Sequence, residues 1–150
     1  MIIAAYTAFL LLTPIVAGLD ADRFRWSAVP LPARGLAWLG LALAGALIFW
    51  VLTANTYLSR MARIQDDRGQ VVVTTGPYRF VRHPVYLGVI LLFVCMPVAL
   101  GSWWALLPGA VIGLLFVIRT AKEDRMLREE LPGYVEYAPR VRYRLVPRIW

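Results

Sequence analysis

The run Arg82-His83-Pro84-Val85-Tyr86-Leu87-Gly88 puts a guanidinium, an imidazole and a phenol within five residues, just ahead of a long uncharged stretch. Beyond that stretch come Glu123-Asp124 and Glu129-Glu130, then Arg140, Arg142 and Arg144 at alternate positions. Arginine, or a protonated histidine, binds an anionic carboxylate through charge-assisted hydrogen bonds. A carboxylate pair accepts from hydroxyl and ammonium groups, and one member can take a proton from a neutral nucleophile. Singly, each residue also has a structural account. His83 before Pro84 can cap a helix, and Arg79 and Arg82 can anchor lipid headgroups. Glu123 and Asp124 can be a solvated helix face paired with Lys122, Arg125 and Arg128. Tyr78, Tyr86 and the six Trp can be interfacial aromatics. The choice rests on whether the chain brings them together.

The elements that must do so are hydrophobic. Of 150 residues, 60% are hydrophobic and 17% charged, against roughly 45–50% and about 25% in soluble domains. Residues 1–19, 36–59 and 84–118 carry no charge at all. About 18 such residues cross a hydrocarbon core of roughly 30 Å. The net charge of +7 does not point to nucleic acid, because no basic stripe stands apart from the apolar spans and flanking arginines belong at membrane surfaces. Cys95 is the lone cysteine, which excludes a disulfide framework and a cysteine metal cluster.

The pattern predicts an all-α membrane protein of about four transmembrane helices in one domain, residues 1–150. Two N-terminal spans occupy residues 1–60 and a core follows over 66–150. The first span, 2–19, lacks the basic start of a secretory signal and exceeds its usual apolar length, so it is expected to be retained. A second span is expected over 36–58. Val71-Val72-Val73 has the β-branched character of a short extended segment. The stretch 84–118 is too long for one comfortable crossing, and Gly101-Ser102 marks the turn of a helical hairpin. The last helix should run on as a tail and stop near Pro132-Gly133.

Thirteen of the 16 basic residues fall in 59–83 and after Ile118. The positive-inside rule makes that side, and both termini, cytoplasmic. A turn at 101–102 sets His83 level with Thr120, Tyr86 with Val117, and Arg79 and Phe80 with Glu123 and Asp124. The histidine, several arginines and a carboxylate pair then meet where a water-soluble cofactor reaches a lipid-borne substrate.

Order and spacing sharpen this. GPYRFVRHPVYLG, an uncharged hairpin, then KEDRMLREELPGYVEYAPRVRYRLVP resembles the isoprenylcysteine carboxyl methyltransferase and phospholipid methyltransferase superfamily over residues 66–150. There a GPY-x-x-x-RHP-x-Y-x-G segment precedes a membrane hairpin and a Glu-Glu pair follows it. Asp124 is a departure from that pair, and Glu129-Glu130 is a second candidate.

The resemblance implies S-adenosylmethionine as cofactor and S-adenosylhomocysteine as product. It also implies cofactor contacts at His83, Pro84, Tyr86, Leu87, Gly88, Glu123 and Asp124, with Tyr78 and Arg82 close by. Glu123 or Glu129 is the candidate proton acceptor, and Arg140, Arg142 or Arg144 is a candidate to orient an anionic acceptor. The expected acceptor is lipophilic, a prenylated cysteine carboxylate being the family precedent, with membrane lipids as surroundings, no nucleic-acid partner and no metal. Two rivals stand beside this reading. Membrane sterol reductases share a related C-terminal half and imply NADPH. A non-catalytic membrane subunit implies no cofactor.

Overall fold

Prolines stand in the first turns of three of the described helices, and a proline-glycine pair ends one of them. A computed structural model describes residues 2–57 and 69–150, with side chains from Thr7 onward. Five α-helices are seen among the described residues: α1 (Ile2–Gly18), α2 (Leu31–Ala54), α3 (Pro84–Leu100), α4 (Leu106–Glu130) and a single turn, α5 (Tyr134–Tyr137). Pro32, Pro84 and Pro108 fall in the first turns of α2, α3 and α4. A missing N–H is harmless there because that donor has no intrahelical partner. Leu131-Pro132-Gly133 ends α4, with Gly133 at φ 83° in the left-handed region.

The chain divides into two compact units, each built from two stretches: residues 1–45 with 88–116, and residues 46–87 with 117–150. In the first, the buried positions are small: Ala17, Ala37, Ala44, Ala99 and Ala105, joined by Phe93 and Ile112. A β-carbon on Gly109 would collide with the Phe93 carbonyl, and one on Gly40 with the Cys95 thiol. Large apolar side chains, including Leu36, Leu39, Leu43, Trp38, Leu107 and Leu114, are exposed. A six-residue π-helical turn, Leu19–Phe24, prolongs α1. It buries Asp20, whose Oδ2 accepts from the hydroxyls of Ser27 and Ser102, each at 2.5 Å. In the second unit, Leu131, Tyr134, Tyr137 and Ala138 form a core on which Val72, Leu127 and Val141 pack.

Among the described residues the fold is all helix and turn, as expected. α2 is long and apolar enough to cross a membrane by length and composition, and α3 is apolar but shorter. Three details differ from expectation. α2 starts at Leu31 rather than 36, because Pro32 suits a first turn, and it ends at Ala54 rather than 58; residues 59–68 of the connection that follows lie outside the described residues. Val71-Val72-Val73 lies outside the helices and pairs with no strand among the described residues. The hairpin turn takes in Gly101 to Ala105, with α4 starting only at Leu106. Partners across it are therefore displaced by about three residues from the expected register.

Candidate active site

That displacement decides the site, which lies within the second unit. His83 and Tyr86 both meet Glu123, which lies three residues past Thr120 and six past Val117 along α4. Phe80 lies instead against Trp50, ring centroids 6.4 Å apart.

The approach to α3 is a tight turn, Gly76–Arg79. Gly76 sits at φ 58°, and a β-carbon there would meet that of Ala54 at 2.9 Å, so glycine is required for both reasons. The turn buries Tyr78, whose hydroxyl accepts from Asn55 Nδ2 at 2.7 Å. Tyr137 donates to the Tyr78 carbonyl at 2.7 Å. The Arg82 and His83 amides then donate to the Tyr143 and Arg144 carbonyls, both at 2.9 Å. The C-terminal segment is thus laid along the first turn of the site.

Arg82 is 6% exposed and engages all three of its nitrogens. Its Nε and Nη2 grip the two oxygens of Asp124 at 2.7 and 3.3 Å. Nη1 donates to the carbonyls of Ala138, Val141 and Arg142 at 3.2, 2.8 and 2.9 Å. This bidentate pair fastens the C-terminal segment to α4.

Asp124, wholly buried, is the hub. Tyr134 donates to its Oδ1 at 2.9 Å, and Arg128 and Arg144 to its Oδ2 at 3.2 and 3.0 Å. His83 Nε2 lies 3.4 Å from Oδ1. A carboxylate only accepts, so Nε2 is assigned the proton and Nδ1 is left toward Glu123 Oε1, 3.9 Å away. Glu123 is anchored separately: the Tyr86 hydroxyl donates to its Oε2 at 2.6 Å, while Arg119 Nε donates to that hydroxyl at 2.9 Å. The His83 and Tyr86 rings stack at 5.9 Å.

Burial alone would raise the Asp124 pKa, but hydrogen bonds from His83, Arg82 and Tyr134, with the Arg82 charge, outweigh it and hold the carboxyl well below its usual range. Burial, then the Asp124 charge, pushes the Tyr134 phenol well up. A carboxylate with a lowered folded pKa adds stability that is complete above the unfolded value, about 4, and is lost as pH falls through the folded value. The unfolding midpoint in detergent, followed by scanning fluorimetry, is accordingly expected to drop below about pH 4. Asp124→Asn should flatten that acid limb; an identical limb in the variant would remove Asp124 as its source.

The remaining expected residues are dispersed. Pro84 starts α3 and is buried, Leu87 is half-buried, and Gly88 is buried within the first unit. Arg140 is exposed, while Arg144 is held on Asp124. Glu129 pairs with Arg125 at 2.8 Å on an open face, and Glu130 is exposed. Sequence reasoning missed Arg119, Arg128 and Tyr134 as members. The four-residue spacings of Arg119 from Glu123 and of Arg128 from Asp124 are legible signals; Tyr134, beyond a glycine turn, has none. Among the described residues no group of three metal-ligating side chains exists.

The family model described as phospholipid methyltransferase matches residues 36–132. A Delta(14)-sterol reductase, erg24, of Schizosaccharomyces pombe is 29% identical over 96 residues, which cover 62% of this chain. The chain spans only 23% of the length of that relative.

Proposed function

The chain belongs to the phospholipid methyltransferase family, and from that premise we propose that it transfers a methyl group from S-adenosylmethionine to a lipophilic acceptor at the cytoplasmic face of a multi-pass membrane protein. The observation that carries the reading is the setting of Glu123. Its side chain, 19% exposed, is oriented by Tyr86 through Oε2, with Oε1 toward His83.

The donor and acceptor chemistry suits the cofactor. Glu123 can accept from ribose hydroxyls or the ammonium group, and His83 can donate to a carboxylate when protonated. Arg82, the other cation considered, serves as a structural fastener instead. The bound cofactor supplies a methyl group activated on a sulfonium centre. The chain's part is positioning, since holding reactants in line lowers the barrier most. A thiolate or carboxylate acceptor arrives charged and needs no base. For a neutral amine, Glu123 takes the proton.

Membrane residence is supported by α2 and by the inverted packing of the first unit, with small residues inside and large apolar ones outside, as helices in lipid pack. The segregation of 13 of 16 basic residues supports cytoplasmic placement of the site. The reductase likeness favours a second reading, an NADPH-dependent reductase.

Calorimetric titration of the detergent-purified protein distinguishes the two. Saturable binding of S-adenosylmethionine and S-adenosylhomocysteine, lost in Glu123→Ala, is expected. Binding of NADPH alone would transfer the assignment to the reductase. No binding of any of the three, in detergent and in nanodiscs, would leave a non-catalytic subunit.

A further inference from the structure

Around Asp124 three guanidiniums converge on one carboxylate: Arg82, Arg128 and Arg144. Among the described residues, the nearby carboxylates do not redress the balance. Glu123 is within 3.8 Å of Arg119, and Glu129 is paired with Arg125. Arg82 is buried, but the other two are not. Arg128 and Arg144 use only Nε on Asp124, and their side chains are 44% and 31% exposed. Because both Nε atoms bond one oxygen, at 3.2 and 3.0 Å, they lie within about 6 Å of each other. Their terminal nitrogens bond no other described residue. Each side chain is also held: Arg128 rises one turn beyond Asp124 on α4, and Arg144 lies with its guanidinium carbon 4.9 Å from the Trp150 ring centroid.

We propose that Arg128 and Arg144 form a fork for a phosphate oxyanion, with Asp124 as the template that sets their spacing. Two planar guanidiniums presenting outward N–H donors match the tetrahedral oxygens of a phosphate, which a single carboxylate-binding arginine would not require. The surplus of positive charge around one buried carboxylate favours an anion at the open side. The phosphate belongs either to a lipid headgroup or to a free ion. Asp124 is then a positioning residue for this fork.

The test needs no cofactor, so its failure leaves the methyl-transfer reading standing. Full-length protein in neutral detergent is titrated with inorganic phosphate and with dihexanoyl phosphatidic acid, a soluble lipid phosphate. Binding is expected, weakened roughly tenfold or more in Arg128→Gln and Arg144→Gln, since a charge-assisted hydrogen bond is lost. Arg125→Gln, on the open face, should bind as wild type. Arg128→Lys keeps the charge but not the planar fork and should also weaken binding, with its unfolding midpoint near wild type. This guards against reading a folding defect in the Arg144 variant as lost binding. Tighter binding of the lipid phosphate identifies a headgroup as the ligand, and equal binding identifies the free ion. Wild-type protein that binds neither, or an Arg125 variant impaired as much as the Arg128 variants, would overturn the fork.

Discussion

Asp124→Ala is expected to lower the thermal midpoint of the detergent-purified protein by about 6–20 °C. Removing one partner of a buried ion pair costs about 3–5 kcal/mol, because the charge left behind has neither solvent nor counter-charge. A domain of about 150 residues shifts its midpoint by about 2–4 °C per kcal/mol. Here the loss reaches further than one pair. Arg82 is buried with Asp124 and simultaneously holds the carbonyls of Ala138, Val141 and Arg142. The released guanidinium unfastens the segment whose Tyr143 and Arg144 carbonyls receive the Arg82 and His83 amides. Differential scanning calorimetry of the two proteins in one detergent checks this. A variant melting within a degree or two of wild type would show that Asp124 is not the hub its contacts describe.

The second large effect is on catalysis rather than stability. Glu123→Ala should reduce methyl transfer by roughly 100-fold or more, the range for a positioned acid–base or charge-assisted group, with little change in folding. Glu123 is partly solvated and its partners, Tyr86 and Arg119, can turn to each other. His83→Ala should be comparably inactive. It leaves Asp124 still bonded to Arg82 and Tyr134, so it too should fold. Val85→Ala is the control, an apolar half-buried neighbour. Transfer of radiolabelled methyl from S-adenosylmethionine to lipid extracts, with parallel melting curves, separates the two classes. Wild-type turnover in both the Glu123 and His83 variants would displace the site, even with methyl transfer confirmed for the parent protein.

These two neighbours on α4 therefore carry different burdens, although in sequence they read as one acidic pair. Successive helical residues point about 100° apart. Asp124 turns into the core under Tyr134, and Glu123 turns toward Tyr86. The arginines separate in the same way: Arg82 is sealed, Arg144 is half-buried on Asp124 and Arg140 is exposed.

The sequence by itself determined the apolar helices, the stops at Gly101 and at Pro132-Gly133, and the hairpin that carries the histidine segment back toward the acidic pair. Those features are local: charge-free length, backbone restriction and periodicity act within one or two turns, so they can be read from neighbouring letters. The family resemblance was legible for the same reason, since its residues lie at fixed short spacings. Only the tertiary structure decided the register across the hairpin and which charges face each other. A turn wider than Gly101-Ser102 by a few residues moves every partner on α4 by nearly a helical turn. The return of residues 138–144 onto Arg82 and His83 rests on single long-range hydrogen bonds with no period to announce them. Which arginine is spent on the fold and which is left for a ligand follows from that packing, because a buried guanidinium must satisfy its donors within the protein and a half-exposed one need not.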